Sequence, residues 1–292
     1  MKKTVSEIIF DIINTLFMIV MIVVTLYPIL YVLFASLSDS NRLLAHSGLL
    51  IKPIGLQLAA YKEVLKNPMV ISGFGNTLYY VVFGSFLSMV VTTLAAFALS
   101  RKRLWIKKYI NVIIVITMFF SGGLIPTFLQ VKALGLYGSR MAIILPTLLS
   151  TYNLIVLRTA FYAFPESLEE AAKIDGANDF QVLFQLVIPL SKATMAVVLL
   201  FYAVAKWNDW FQASIYLRER SKYPLQLYLR EVLINSSTDS MTTGAATGQD
   251  ALAVSESIKY ATVMVSTLPI LIIYPFLQKY FVKGVMIGAV KG

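Results

Sequence analysis

Cysteine is absent from the 292 residues, which excludes disulfides, thiolate nucleophiles and cysteine-ligated metal sites while leaving the compartment open. Histidine occurs once, as His46, and a lone imidazole without neighbouring ligands forms no metal site and no acid–base pair. No glycine is followed by lysine, so a Walker A phosphate loop is ruled out. No catalytic constellation is visible, and neither a cofactor nor a metal is expected on this chain. Charge of either sign is scarce at 14% of residues, and acidic charge scarcer still, with 15 Asp and Glu against 25 Lys and Arg. What fills the chain instead is apolar: 58% of residues, with a mean hydropathy of +0.75. Both values lie well beyond an ordinary soluble domain, so the solvent for most of this chain is lipid. The net charge of +10 then belongs to span ends, where anionic headgroups favour Lys and Arg, and is not read as nucleic-acid binding.

A bilayer core of about 30 Å needs roughly 20 apolar helical residues, so uncharged runs of that length can be counted. Six spans are expected, at about 12–38, 71–100, 109–131, 141–164, 193–217 and 260–282. Residues 141–157 stop at Arg158 but continue apolar to Phe164, and 193–217 carries Lys206 and Asp209. The runs are continuous rather than alternating, which argues against a barrel and for an all-α polytopic membrane protein built as a single domain over 1–292. Arg101, Lys102, Arg103, Lys107 and Lys108 make the densest basic cluster in a short loop, which puts that loop in the cytoplasm. Both termini and the polar island 165–192 follow it there, while the loops 39–70 and 218–259 face outward. Met1-Lys2-Lys3 precedes an apolar run far longer than the 7–15 residues of a secretory signal, so it reads as a retained first span. Residues 236–250, SSTDSMTTGAATGQD, are too small and polar to bury a core.

The island itself is patterned. Ser167-x-x-Glu170 has the spacing of a capping box. Pro165 precedes it, Gly176 can take the left-handed conformation that ends a helix, and Asn178 or Asp179 can cap a second helix running toward Pro189. Ala171 and Ala172 leave a low surface that another protein can approach closely. The helix and cap alone also fit an ordinary loop between spans.

The spacing goes further. Glu170-Ala171-Ala172, three residues, Gly176, nine residues, then Leu186-Val187-Ile188-Pro189 resembles the EAA loop of ABC importer permeases, with departures only in the placement of the leucine and isoleucine. Asn76-Thr77, the segment Ala95-Ala96-Phe97-Ala98-Leu99-Ser100-Arg101 and the ending Gly284-Val285-Met286-Ile287-Gly288-Ala289-Val290-Lys291-Gly292 extend the likeness. Together they resemble the smaller six-span, maltose-permease-like subunit of the carbohydrate importers, nearest in look to permeases for polygalacturonan and other complex oligosaccharides. The likeness covers nearly the whole chain and implies a type I ABC importer permease fold in a bacterial cell membrane. It implies that 165–189 is the coupling loop, with Glu170, Ala171, Ala172, Asp175 and Gly176 meeting an ATP-binding subunit, and that Gly288, Lys291 and Gly292 reach toward the ATPase pair. That tail composition also suits a frayed end. The implied partners are a second permease, two ATP-binding subunits that handle ATP and Mg, and an external solute-binding protein.

Lys206-Trp207-Asn208-Asp209-Trp210 stands within the fifth span, about thirteen residues from its start and so roughly 20 Å across at 1.5 Å per residue. Charges at such depth usually face a bundle interior or water, and Lys206 with Asp209 is spaced i, i+3 for mutual pairing. Trp207 and Trp210 lie on one side and could stack on sugar rings, which makes the five residues a candidate translocation path. An aromatic belt with a snorkelling lysine fits them equally, and in related importers the larger permease makes most substrate contacts. Basic residues in the outer segment from Arg218 to Tyr228 could favour anionic sugars. The reading is therefore an oligosaccharide-importing permease subunit. Its rivals are an importer permease for a non-sugar solute and an ion-driven carrier using Lys206 and Asp209 as a relay, set aside because the chain shows no discontinuous spans in matching halves.

Overall fold

The computed structural model describes residues 4–101, 105–242 and 256–275, so the expected tail contacts of Gly288, Lys291 and Gly292 lie outside the described residues. All regular structure among the described residues is helical, as continuous apolar runs dictate. The elements are α1 (Val5–Ser36), α2 (Ser40–Ala45), α3 (Ala59–Lys66), α4 (Pro68–Ser100), α5 (Lys107–Phe119), α6 (Leu124–Ala133), α7 (Met141–Ile144) and α8 (Thr151–Tyr162). They continue with α9 (Glu166–Ile174), α10 (Asp179–Gln181), a π-helical turn (Val182–Val187), α11 (Ile188–Leu190), α12 (Lys192–Trp207), α13 (Phe211–Tyr216), α14 (Leu225–Thr242) and α15 (Glu256–Pro275). Two compact units result, one from residues 1–70 and 229–269, the other from 71–228 and 270–292.

In the first unit, α1 is apolar on every side, and Ile8, Phe17 and Val24 stay exposed. A helix this apolar with so little packed against it among the described residues has lipid as its solvent. It begins earlier than the apolar run because Glu7 reaches back to the Thr4 N–H at 2.7 Å, and its carboxylate sits in the first turn where the helix dipole favours it. The loop beyond α1 is tied to its end. Ser38 Oγ accepts the Ile54 N–H at 3.0 Å, and Ser36 and Tyr61 share a hydrogen bond of 2.7 Å.

The second unit is organised around α4, α8, the π turn and α12. Ala96, Phe97, Leu157, Phe161, Val182, Leu183, Val187 and Val198 form its buried core. The Tyr202 hydroxyl pairs with Thr92 Oγ1 at 2.7 Å and accepts the Ser150 N–H at 3.0 Å, joining α12 to α4 and to the start of α8. Asn76 donates to the carbonyls of Ser221 (2.7 Å) and Tyr223 (3.1 Å), and Thr77 Oγ1 accepts the Leu225 N–H at 2.9 Å. The segment 218–228 is thus clamped on the first turns of α4. At Gly73 a Cβ would lie 3.2 Å from Leu225 Cα, so glycine permits that close approach.

Several expected spans are broken. The run 109–131 divides into α5 and α6, whose axes meet at 116°, across a glycine pair in which Gly123 has φ +86°. The run 141–164 divides into α7 and α8 around residues 145–150, which include Pro146. A proline supplies no N–H to a helix ladder, which favours such a break. The run 193–217 ends its first helix at Trp207 and restarts at Phe211. The premise of uninterrupted spans is therefore corrected. Among the described residues three helices, α1, α4 and α15, are long and apolar enough to cross a membrane, or up to five spans if α5 with α6 and the bent pair Asp179–Leu190 with α12 (86°) each count as one.

Candidate functional site

The island begins differently from its sequence pattern. α9 starts at Glu166 with Pro165 as its N-cap residue, and the expected Ser167–Glu170 capping box does not form. A proline there fixes φ at −62° and presets the helix entry, so no side-chain cap is needed. Glu170 is consequently free. It is exposed and makes no ion pair or hydrogen bond to the described residues. The far end follows the pattern. Gly176 has φ +85°, the Gly176 N–H donates to Lys173 O at 3.1 Å and the Ala177 N–H to Ala172 O at 2.9 Å, a Schellman closure. Asn178 then caps α10 reciprocally with Gln181, at 2.9 and 2.8 Å.

The two halves of the island divide their surfaces. Val182, Leu183 and Val187 are fully buried, while α9 buries no residue completely and only Ala172 of its small residues packs against the core. Ala171, Asp175 and Gly176 are exposed, next to Ile174, which is 87% exposed, and Phe180. An apolar, low-profile patch beside a free carboxylate is suited to receive another protein. A groove of about 300 Å³ runs past Ala172, Asp175, Gly176 and Gln185.

Glu169, one position earlier, does the opposite of Glu170. Its carboxylate pairs with Arg101 at the end of α4 and accepts from Lys173 at 2.7 Å. Arg101 also donates to Phe161 O at 2.9 Å near the end of α8 and lies over the Phe97 ring. Partial burial pushes the Glu169 carboxyl up, but the hydrogen bonds from Lys173 and Arg101 and their positive charges outweigh it and hold the group below its ordinary value. Neither Arg101 nor Glu169 stands out as a site residue in the sequence. The i, i+4 spacing of Glu169 and Lys173 was the available signal.

In the fifth apolar run the structure separates the five path residues. Lys206 is buried, 4% exposed, and its ammonium donates to Thr147 Oγ1 instead of pairing with Asp209. Asp209 accepts the Gln212 N–H of the first turn of α13 at 3.2 Å and acts on Lys206 through space, without the direct ion pair expected. Gly84 makes room for the lysine stem, since a Cβ there would sit 3.0 Å from Lys206 Cε. Trp207 packs edge-on against Phe74 at 6.0 Å, Trp210 packs against Phe211, and Asn208 donates back to Val204 O at 3.0 Å.

Lys206 and Asp209 line a cavity of about 700 Å³ that Trp207, Asn208 and Trp210 do not line. Its remaining walls include Thr147, Asn153, Gln212 and the tilted pair Tyr152–Phe201, whose rings are 6.0 Å apart. Phe201, Ala205, Lys206 and Asp209 recur at helical spacing, a signal for one shared face. The α8 residues come from a distant stretch that no periodicity links to it.

The comparisons agree with this architecture. Residues 1–287 match the family described as binding-protein-dependent transport system inner membrane component. Protein LplC of Bacillus subtilis strain 168 is 38% identical over 292 residues, covering 100% of this chain and 98% of its own. The polygalacturonan/rhamnogalacturonan transport system permease protein YtcP of the same organism is also 38% identical, over 97% of this chain and 98% of its own. Among solved structures, a bacterial ABC transporter involved in the import of the acidic polysaccharide alginate superposes with a TM-score of 0.87 at 32% identity, over 96% of this chain and 99% of that one. A match over nearly the full length, joined to apolar helices and a capped polar island, places the chain in the binding-protein-dependent transport system inner membrane component family, as a transporter permease subunit that is not itself catalytic.

Proposed function

We propose that the chain carries oligosaccharides across the bacterial cell membrane as one permease of an ABC importer, paired with a second permease, two ATP-binding subunits that use ATP and Mg, and an external solute-binding protein. The relatives named for polygalacturonan/rhamnogalacturonan transport and for alginate import support a saccharide cargo. In this reading both units serve one permease domain of six crossings, α7 and α8 complete the fourth, and both termini are cytoplasmic. α9 is the coupling helix, and Glu170, Ala171, Ala172, Asp175 and Gly176 are the surface seated in the ATP-binding subunit.

One observation carries the coupling role: Glu170 is exposed and has no partner among the described residues, while Glu169 beside it is bonded to Arg101. One side of α9 is thus open to a partner and the other is fastened to α4. A push on the open side reaches the apolar helices through that fastening. Gly176→Asp tests this. The φ of +85° strains any side chain there, and the new carboxylate lies within the docking surface. In vesicles holding the whole importer, ATP hydrolysis should persist while sugar uptake falls at least about tenfold, as expected when an interface residue worth roughly 1.4 kcal/mol is lost. Normal uptake by a normally inserted variant would remove the coupling role from α9.

A further inference from the structure

We propose that the cavity beside Lys206 is a binding site for a uronate unit of the passing oligosaccharide, with the Lys206 ammonium receiving the sugar carboxylate. The inference rests on the saccharide reading above and assigns the site within it. It starts from a buried ammonium that makes no direct ion pair among the described residues. Lys206 is 4% exposed and its ammonium holds a neutral hydroxyl, Thr147 Oγ1. An ammonium has three N–H groups and that contact uses one. The Asp209 carboxylate acts on this ammonium only through space, with no direct ion pair among the described residues, so the remaining N–H groups can give an incoming carboxylate a short charge-assisted bond.

The other walls are those a sugar ring needs. Asn153 is 4% exposed and its carboxamide makes no hydrogen bond to the described residues, its backbone N–H alone being engaged, with Ser150 Oγ. Gln212 Oε1 is buried without a hydrogen-bond partner among the described residues. Both residues line the same cavity. The two amides can donate to and accept from ring hydroxyls, and the unmet Gln212 oxygen accepts one. Asp209 is held by the Gln212 N–H, and its remaining lone pairs also accept hydroxyls. Tyr152 and Phe201 give flat apolar faces for the C–H side of a pyranose. The volume of about 700 Å³ falls in the usual range of small-molecule sites, roughly 300–1,000 Å³. A neutral sugar meets the amides and rings equally well but offers the ammonium no direct charge-assisted bond, so the site favours the acid form.

The absence of cysteine makes the test direct, because Ala205→Cys places a single thiol of this chain on the cavity wall. In the assembled importer without ATP, N-ethylmaleimide labelling of that thiol is followed by mass spectrometry of this chain, with trigalacturonate or its full methyl ester as probe. At ten times its half-protecting concentration trigalacturonate should slow labelling about tenfold, and the ester at that concentration should not. Adding Lys206→Met should abolish protection with the ligand-free labelling rate unchanged, and Lys206→Arg should retain it. Equal protection by the ester, no protection by either sugar, or full protection in Lys206→Met would each overturn the proposal. ATP-driven uptake by the same importer is measured separately, so failure of this site is distinguishable from failure of the permease reading.

Discussion

Two adjacent glutamates on α9 meet opposite fates, and the difference lies in which way each leaves the helix. Glu169 turns to Arg101 and Lys173; Glu170 turns out. The held carboxylate carries a pH signature. Its pKa is lowered from 4.5, so folding strengthens its ionised form, and the stability it contributes is complete above the ordinary value and lost as pH falls through the lowered one. Thermal unfolding of the purified chain should show Glu169→Gln less stable than the wild type by about 1–2 kcal/mol near neutrality, with the gap closing below about pH 4.5. A gap that persists unchanged into acid would mean that the pairing contributes nothing. At this scale the sequence was half legible. Glu169 and Lys173 declare their i, i+4 relation, whereas Arg101 is 68 residues away along the chain and only the meeting of α4 with α9 reveals it. The same holds for Lys206, whose spacing from Asp209 suggested a direct pair, whereas its hydrogen bond goes to the distant Thr147 and Asp209 acts on it through space.

Among the elements, the island was the most legible because its signals are local chemistry. Gly176 at positive φ and Asn178 at a cap are each dictated by a residue's own backbone preference or short side chain. The breaks in the apolar runs were not legible from hydropathy, since Gly122–Gly123, Pro146 and the α12–α13 junction interrupt helices without interrupting apolarity. The family match, rather than the continuity of the spans, sets the ion-driven carrier aside. If the Arg101–Glu169 ion pair fastens α9 to α4, reversing either charge should lower sugar uptake by about tenfold, equivalent to about 1.4 kcal/mol. The double reversal, Arg101→Glu with Glu169→Arg, should recover part of it, less than all because Arg101 also holds Phe161 O and Lys173 remains nearby. Additive losses in the double variant would show that the two side chains act independently.

For the whole molecule, composition alone set the class, because a chain this apolar and this poor in charge has lipid as its solvent. Motif spacing set the family that the full-length match bears out. The cavity was beyond reach of both, since its walls join α8 to α12 through tertiary packing that no single stretch encodes. The central claim is that this permease works within an ATP-driven assembly docked on α9. Its most direct measurement is mild-detergent affinity purification of the chain from its own cells, followed by mass spectrometry of what stays bound. The account predicts an ATP-binding subunit, a second permease and a solute-binding protein in the eluate, with the ATP-binding subunit reduced when Glu170 is replaced by alanine. Recovery of the chain alone, even after crosslinking, would contradict it.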